Sequence, residues 1–435
     1  MCVKHHLVVK LVVASPEPTP IPYWARFISD KAVAVSSLER TVDDVLHRAG
    51  REFWVTHEYA PAADAWDAVE RHHGLDRVYR LVFTDDTSRL PQAVVAEVAA
   101  SPAVESCHQL EVAATPLPTD LAAPASLAAR AGRADLIGLP FARAITRGRA
   151  DVRVAVLDTG VNLNHPELRE KVVAGADFVD LAGLDTSAFV GDFLGRDTDP
   201  EDELGHGTHV AGIIAGEGLQ MEPGIAPGCR LMAVRVLATL RSGDDIQGAG
   251  IVDNINPAVK WAADNGADVI NMSLGIRHTG GGLPHADVIR YAIDQGVTVV
   301  AASGNDGTDT KYYPGALPDV LAVGAVDDTG SVARFSSWGA PISVVAPGVN
   351  VLSSYARGRY AVASGTSQAS PVVAGAIALL KSYARDRGSD LGPASIARLL
   401  RETSDRVDQR PRSPHAGYGL INLTDSFKWL LNSLN

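Results

Sequence analysis

The sequence predicts an α/β protein in which a large domain with a mainly parallel sheet follows a small α+β domain. From residue 151 onward, short apolar runs alternate with amphipathic stretches of helical period, as expected for parallel strands covered by helices on both faces. Within residues 1–113, strand-like and helical stretches alternate on a smaller scale, which indicates a compact α+β unit. Between the two parts the composition shifts to Ala and Pro.

The first predicted domain comprises residues 1–113. Its strand-like runs lie at 6–13, 52–59, 76–83 and near 108–114, and its helical stretches lie at 37–49, 63–73 and 90–101. The first apolar run is short and is interrupted by Lys10, so it fits a β-strand better than a secretory signal. Residues 114–134 lack a sustained apolar period and form the predicted linker, a kind of exposed segment that proteases cut.

The second predicted domain comprises residues 135–435. Its strands are expected at 152–158, 231–237, 268–274, 297–303 and 320–326, and its helices are expected from 206 and near 252–265, 285–295 and 372–380. In sheets of this kind, ligands bind at the carboxyl ends of the strands. The polar residues that end these strands are therefore candidates for a functional site.

Composition and charge exclude several classes of protein. A chain of 435 residues that is 46% hydrophobic can bury two cores. Its formal net charge of −12 argues against nucleic acid or an anionic membrane as the main partner. No apolar run reaches the ~18 residues of a transmembrane helix, so no membrane insertion is expected. Neither a disulfide framework nor a metal quartet can be built from the cysteines, Cys2, Cys107 and Cys229.

Polar residues stand at two strand ends and at two helix starts. Asp158 and Asn305 follow apolar strands, His206 opens a helix, and Ser367 precedes an apolar run in which Pro371 fits a helix start. Each alone has a structural explanation as a turn former, a core histidine or a helix N-cap. Together, Asp158, His206 and Ser367 supply the carboxylate, imidazole and hydroxyl of nucleophilic catalysis. Asn305 adds an amide donor for an oxyanion.

Four segments resemble the signature segments of the subtilisin-like serine proteases, in that family's Asp, His, Asn, Ser order. They are VAVLDTGVNLNHPEL, GHGTHVAG, GNDG and GTSQASPVVAG. The resemblance covers roughly residues 135–427 and implies the subtilisin-like three-layer fold. It also implies a serine endopeptidase that forms an acyl-enzyme intermediate and needs no cofactor for catalysis.

The roles known for subtilisin itself carry over residue by residue. Asp158 becomes the orienting carboxylate, His206 the general base and then acid, and Ser367 the nucleophile. Asn305 and the backbone N–H of Ser367 become the oxyanion hole. His209, in the same helix as His206, is expected to be structural.

The resemblance further implies that an extended peptide substrate adds as a strand between two enzyme segments. The matching residues are Gly248, Ala249 and Gly250 on one side and Ser273, Leu274 and Gly275 on the other. Ala302 and Gly304 are expected in the wall of the first side-chain pocket. Tyr312 stands where many relatives have a small residue. It either shortens the pocket, which would favour small or medium side chains before the cleaved bond, or turns toward solvent.

Relatives in the family bind structural calcium, and two places in this sequence are candidates for it. A long insert at 179–204 contains four carboxylates that either hold Ca²⁺ or form a solvated acidic loop, namely Asp197, Asp199, Glu201 and Asp202. The family's calcium carboxylate after the dipeptide HP is Glu167 here, where aspartate is common. This difference puts that calcium site in doubt.

The N-terminal domain resembles the family's inhibitory propeptide, which is a small ferredoxin-like α+β domain. The protein would then be made as a zymogen, with its own N-terminal domain as intramolecular inhibitor and a cleavage site within 112–134.

A catalytically silent subtilisin-fold binding module is the alternative to a protease, although no triad member is missing. An esterase is disfavoured because GTSQAS lacks the G-x-S-x-G pattern.

The polypeptide substrate and the location of the protein are left open by the sequence. A general degradative enzyme and a dedicated processing protease both fit the motifs. A cytoplasmic location is favoured because no clear signal peptide is present, and the small number of cysteines fits a reducing compartment.

Overall fold

Strands and helices alternate along most of the chain. The computed structural model describes residues 6–16, 20–24, 26, 33–84, 90–109, 112–116, 131–181, 187–242, 245–277 and 285–434. The strands are β1 (His6–Leu11), β2 (Phe53–His57), β3 (Val78–Phe83), β4 (Val104–Gln109), β5 (Val112–Pro116), β6 (Arg153–Asp158), β7 (Val172–Asp177), β8 (Phe189–Val190), β9 (Arg230–Arg235), β10 (Ala238–Ser242), β11 (Asp245–Ile251), β12 (Val269–Met272), β13 (Ile276–Arg277), β14 (Thr298–Ala302), β15 (Tyr312–Tyr313), β16 (Leu321–Val326), β17 (Ile342–Pro347), β18 (Val351–Tyr355) and β19 (Arg359–Ala363). The helices are α1 (Arg40–Arg48), α2 (Ala68–His72), α3 (Gln92–Ala99), α4 (Ala131–Leu136), α5 (Leu139–Ile145), α6 (His206–Ala215), α7 (Val252–Asp264), α8 (Ala286–Asp294), α9 (Thr366–Arg385), α10 (Pro393–Thr403) and α11 (Leu423–Ser433).

The first four strands form an antiparallel sheet in the order β2-β3-β1-β4. Helices α1 and α3 cover one face, where Leu7 and Val9 of β1 pack with Val42 of α1 and Val98 of α3. The opposite face packs against the second part of the chain, because Val8 shares a core with residues of α7 and α8. This sheet therefore lies directly on the larger domain.

Seven parallel strands form the central sheet, in the order β17-β16-β14-β12-β6-β9-β7. Side chains along β6 alternate between two cores: Val154 and Val156 face α6 and α9, whereas Ala155 and Leu157 face α7 and α8. A sheet buried on both faces explains why its strands are continuous apolar runs. The three layers predicted from the sequence are confirmed.

A smaller antiparallel sheet in the order β5-β11-β10-β8 lies beside the carboxyl edge of the central sheet. In it, β5 from the end of the N-terminal part pairs with β11 from the second part. The single strand predicted near 108–114 is therefore wrong: β4 completes the N-terminal sheet, and β5 leaves that sheet to pair with β11. Sequence patterns could not show this because the partner of β5 is far away in the chain.

The helix that carries Ser367 begins earlier than the proline suggested. Helix α9 starts at Thr366, so Pro371 lies inside the helix and not at its first turn. The residues around this start are buried, and tertiary packing maintains the helix across the proline. The prediction of a buried helix with Ser367 at its amino end is otherwise in agreement with the structure.

The predicted domain boundaries at 113 and 134 stay predictions. Residues 117–130 of the linker lie outside the described part of the chain, as does Cys2. Cys107 and Cys229 are buried free thiols. Within the described residues, no helix has the length and apolar character needed to cross a membrane.

Candidate active site

Asp158 and His206 meet at the carboxyl edge of the parallel sheet. Asp158 is the last residue of β6, and His206 is the first residue of α6. His206 Nδ1 lies 2.7 Å from an Asp158 carboxylate oxygen, and the backbone N–H of Thr159 donates to the same oxygen at 2.8 Å. The close approach of the two segments requires Gly207, because a Cβ there would lie 2.1 Å from the carbonyl oxygen of Gly160.

The imidazole of His206 accepts a proton more readily than an ordinary histidine does. Burial opposes the charged form, but the charge of Asp158 and the hydrogen bond to it outweigh burial, and the charge of Asp202 adds to them. The pKa of His206 is therefore raised above its usual value. The other ring nitrogen, Nε2, is buried and has no hydrogen-bond partner among the described residues. This nitrogen can therefore accept a proton from a hydroxyl that reaches it.

Asp202 connects the two segments that carry this pair. One of its oxygens accepts the hydroxyl of Thr159 at 2.9 Å and the N–H groups of Leu204 and Gly205 at 2.9 and 2.8 Å. The other accepts the N–H and hydroxyl of Thr208 at 2.9 and 2.6 Å. Asp202 thus caps the start of α6 and joins it to the turn after β6. Burial raises the pKa of its carboxyl in spite of these donors.

The other carboxylates of the acidic insert do not join Asp202 in a ligand set. Glu201 accepts hydrogen bonds from residues 162–163, and Asp197 and Asp199 each accept a backbone N–H two residues ahead, at 2.8 and 3.2 Å. Among the described residues, no group of three or more His, Cys, Asp or Glu side chains could hold a metal ion. The two alternatives predicted for the insert were a calcium site and a solvated acidic loop. Asp202 fits neither, because it is buried and its oxygens accept hydrogen bonds from protein groups.

Ser367 lies in the first turn of α9, next to the strand end that carries Ser273. Its hydroxyl donates to the Ser273 carbonyl at 3.1 Å, and the Ser273 hydroxyl donates to the Ser367 carbonyl at 2.9 Å. In a regular helix the Ser367 carbonyl would accept the backbone N–H of residue 371. Residue 371 is a proline and has no N–H, so this carbonyl is free to accept the Ser273 hydroxyl. No hydrogen bond joins Ser367 to His206 in this structure, although both residues are described.

Asn305 follows β14 and is oriented by Thr366. Its side-chain oxygen accepts the N–H and the hydroxyl of Thr366 at 2.8 and 2.9 Å. The Thr366 hydroxyl in turn accepts the N–H of Gly304 at 3.2 Å. With its oxygen occupied, Asn305 keeps its NH₂ group as a donor. Thr366 was not among the predicted site residues, although its place directly before Ser367 was a signal that could have identified it.

The pocket expected beside the candidate nucleophile is present, and Tyr312 lines it. A Cβ on Gly304 would lie 2.4 Å from the Tyr312 ring, and one on Gly275 would lie 3.3 Å from Tyr312 Cβ. The Tyr312 hydroxyl donates to Asp306 at 2.6 Å and accepts from Arg277 Nε at 3.0 Å. Neither Asp306 nor Arg277 was among the predicted site residues. The complete lining is Ser273, Leu274, Gly275, Ala302, Gly304, Asn305, Asp306, Tyr312, Thr366 and Ser367.

The strand edge expected to bind substrate is paired with the chain's own β5. The register places Gly248, Ala249 and Gly250 opposite Thr115, Ala114 and Ala113. On its other side, β5 contacts β13, which directly follows the second predicted substrate segment. Residues 112–116 therefore occupy the place that the sequence assigned to a peptide substrate.

His209 does not belong to this site. Its Nε2 lies 3.1 Å from the carbonyl oxygens of both Val351 and Ala361, which links α6 to β18 and β19. Burial, together with the neighbouring His206, lowers the pKa of His209 to about 3, so its imidazole is neutral near pH 7. Its environment is that of a structural histidine.

The fold and the site define a subtilisin-like serine endopeptidase. A sequence model described as the subtilase family matches residues 149–419, which is more than half of the chain. The chain therefore belongs to the subtilase family. The match lies within the second predicted domain and leaves the N-terminal domain uncovered.

Individual relatives are also similar over much of their length. The chain is 40% identical over 285 residues to a thermophilic serine proteinase of Bacillus sp. (strain AK1), an alignment that covers 65% of this chain and 63% of that protein. It is 38% identical to subtilisin DY of Bacillus licheniformis, with coverage of 63% and 90%. It is 36% identical to thermitase of Thermoactinomyces vulgaris, with coverage of 62% and 87%.

Proposed function

We propose that this protein hydrolyses peptide bonds through a triad of Asp158, His206 and Ser367 and an acyl-enzyme intermediate. The observation that supports the proposal most is the 2.7 Å contact between His206 and Asp158, in a fold where helix α6, which begins with His206, packs against helix α9, which carries Ser367. Membership of the subtilase family supports the same class of reaction.

The reaction begins when Ser367 Oγ turns from the Ser273 carbonyl toward His206 Nε2. The oxygen attacks the substrate carbonyl carbon while His206 takes its proton, and Asp158 stabilises the imidazolium that forms. His206 then gives this proton to the leaving amine, and an ester remains on Ser367. Water then attacks the acyl carbon of the ester while His206 takes a proton from that water molecule. His206 gives this proton to the Ser367 oxygen as the ester bond breaks, which restores the serine and releases the carboxylic acid product.

Asn305 is assigned to the oxyanion of the tetrahedral intermediates. Replacing Asn305 by alanine is expected to lower kcat by about 10²–10³, the size of the loss known for the asparagine donor of subtilisin, with little change in KM. Steady-state kinetics on a short peptide substrate measures both constants. Asn305→Asp is the matched comparison, because aspartate has the same shape but no N–H to donate. An Asn305→Asp enzyme with normal kcat would exclude this role.

Tyr312 is assigned to selection of the side chain before the cleaved bond. Its ring fills part of the pocket between Gly275 and Gly304, so small or medium side chains should be preferred. We expect Tyr312→Gly to raise the ratio of kcat/KM for Phe over Ala substrates by roughly 10-fold or more. Tyr312→Phe, which keeps the ring and loses the hydroxyl, should retain the original preference. If Tyr312→Gly gains nothing on Phe or Leu substrates, the assignment is wrong.

The N-terminal domain is proposed to inhibit the enzyme until it is cut off. Support comes from β5, which occupies the substrate edge, and from polar contacts between the two parts of the chain. Lys10 Nζ donates to Asp287 at 2.9 Å, and Trp24 Nε1 donates to Asp180 at 3.0 Å. The cut is expected within residues 112–134, after which the product-like segment can leave the cleft.

A fluorophosphonate probe tests both parts of the proposal. The serine oxygen attacks phosphorus, fluoride leaves, and His206 takes the serine proton, so only an activated serine is labelled. We expect label on the peptide that contains Ser367 after the N-terminal domain has been removed, and little label on the uncut chain. Ser364→Ala, which alters an exposed neighbouring serine, should be labelled normally. A cut, folded protein that stays unlabelled would be a catalytically silent binding module.

A further inference from the structure

Glu167, a buried residue between β6 and β7, has a carboxylate surrounded by hydrogen-bond donors. Its oxygens accept the backbone N–H groups of Gly218 at 2.6 Å, of Leu219 at 2.9 and 3.1 Å, and of Gln220 at 2.8 Å. The hydroxyl of Tyr360 donates to it at 3.2 Å. Gly218 has a φ of +90°, a conformation that glycine adopts readily, and successive N–H groups can then point to one side.

These surroundings do not fit a calcium ion. The resemblance to the subtilisin-like proteases places a calcium carboxylate at Glu167, and Ca²⁺ requires about 6–8 oxygen ligands. The loop at 218–220 instead presents N–H groups, whose positive ends repel a cation and already use the lone pairs of the carboxylate. In the described part of the chain, no cluster of three or more acidic, His or Cys side chains could complete a metal site.

We propose that the Glu167 carboxylate replaces calcium as the group that closes this loop, so that the loop folds without a metal ion. Charge-assisted hydrogen bonds to backbone N–H groups are stronger than those between neutral groups, and three successive N–H groups form a compact binding site for an anion. The side chain that would bind a cation in relatives serves here as the bound anion.

Near Glu167, the loop at 218–220 is joined to helix α6 and to the hairpin formed by β18 and β19. It directly follows α6, the helix that begins with His206, and the N–H of Glu217 donates to the Glu167 backbone carbonyl at 3.1 Å. Tyr360 belongs to β19, and His165 Nε2 lies 2.9 Å from the carbonyl oxygen of Arg359 at the start of the same strand. Glu167 therefore connects the carboxyl end of α6 to the hairpin formed by β18 and β19.

The proposal is tested by amide hydrogen exchange and thermal unfolding of the full chain carrying Ser367→Ala, which prevents self-digestion. In buffer that contains a chelator, the amides of residues 218–220 should exchange slowly, and CaCl₂ added in excess of the chelator should not change their exchange. When the chain carries Glu167→Gln together with Ser367→Ala, the charged acceptor is lost. The Tm should then fall by about 5–10 °C, and exchange at these amides should become faster by ~10-fold or more. Glu170→Gln, an exposed glutamate in the same turn, is the matched control and should change neither.

Two results would overturn the proposal. One is protection of the three amides only when calcium is present. The other is a Glu167→Gln chain with unchanged Tm and exchange. A rise in Tm with calcium that is equal in the parent and in Glu167→Gln supports the proposal, because that calcium does not bind through Glu167. If Glu167→Gln does not fold, the exchange measurement on the parent chain alone decides.

Discussion

Replacing Ser367 by alanine is expected to lower peptide hydrolysis by about 10⁶-fold, the size of the loss known for the nucleophile of subtilisin. Alanine has no oxygen to form the acyl-enzyme, while the oxyanion donors and the pocket remain and leave a small residual rate. The same change should prevent removal of the N-terminal domain, because the proposed cut is made by this serine. Intact mass spectrometry of the purified proteins shows whether the alanine variant stays whole while the wild type is shortened.

The comparison of the wild type with Ser367→Ala needs a control variant in which a different serine is replaced by alanine. Ser364→Ala changes a serine of the same segment whose hydroxyl accepts the N–H of Asn350 at 2.8 Å, outside the proposed triad. It should be shortened like the wild type. If the wild type and Ser367→Ala are shortened at the same bond and rate, another protease makes the cut and the self-cleavage proposal is wrong. If neither is shortened, either the enzyme is held latent until a partner activates it, or the N-terminal domain is a permanent part of the protein and the propeptide proposal is wrong.

Replacing Asp158 by asparagine is expected to lower kcat by about 10⁴, because the neutral amide no longer fixes the tautomer of His206 or stabilises its imidazolium. The pH dependence should change as well. In the wild type, His206 must be neutral to act as a base, so kcat/KM falls as the pH drops through its raised pKa. Without the Asp158 charge, burial is left as the largest influence and lowers the pKa of His206, so this acidic limb should move to lower pH.

The kcat/KM profile of Asp158→Asn can be measured after a trace of tagged wild-type enzyme has removed its N-terminal domain and has itself been withdrawn. Asp199→Asn is the matched control, since that carboxylate accepts the backbone N–H of Glu201 at 3.2 Å, outside the proposed triad, and its replacement should leave the acidic limb in place. An acidic limb that stays fixed or moves to higher pH in Asp158→Asn would contradict the proposed interaction between Asp158 and His206.

Much of the central sheet could be predicted from local sequence, and the physical reason is burial on both faces. Strands such as β6 and β14 are apolar over most of their length, so polar residues such as Asp158 at the end of β6 and Asn305 just after β14 stand out. The predicted α7 and α8 agree with the structure to within one residue at each end, because both helices are amphipathic.

The surroundings of the predicted residues could not be derived in this way. Asp202 was one of four similar carboxylates in an acidic insert, and only its contacts with Thr159 and Thr208 distinguish it as a cap that connects Asp158 and His206. Tyr312 had two open orientations, and packing against Gly304 selects the one that lines the pocket. These contacts join residues from different segments of the chain, and a periodic pattern within one segment does not predict them.

The sequence by itself determined the fold class, the family resemblance and the chemical types at the candidate site, because strand and helix periods and the four motifs are local properties of the chain. Only the tertiary structure decided where β5 lies and what Glu167 binds. Residues 112–116 pair with 247–251, and the Glu167 carboxylate pairs with the N–H groups of 218–220. Backbone groups of this kind are the same in every residue, so their partners depend on how distant segments are brought together and not on the side chains that a sequence displays.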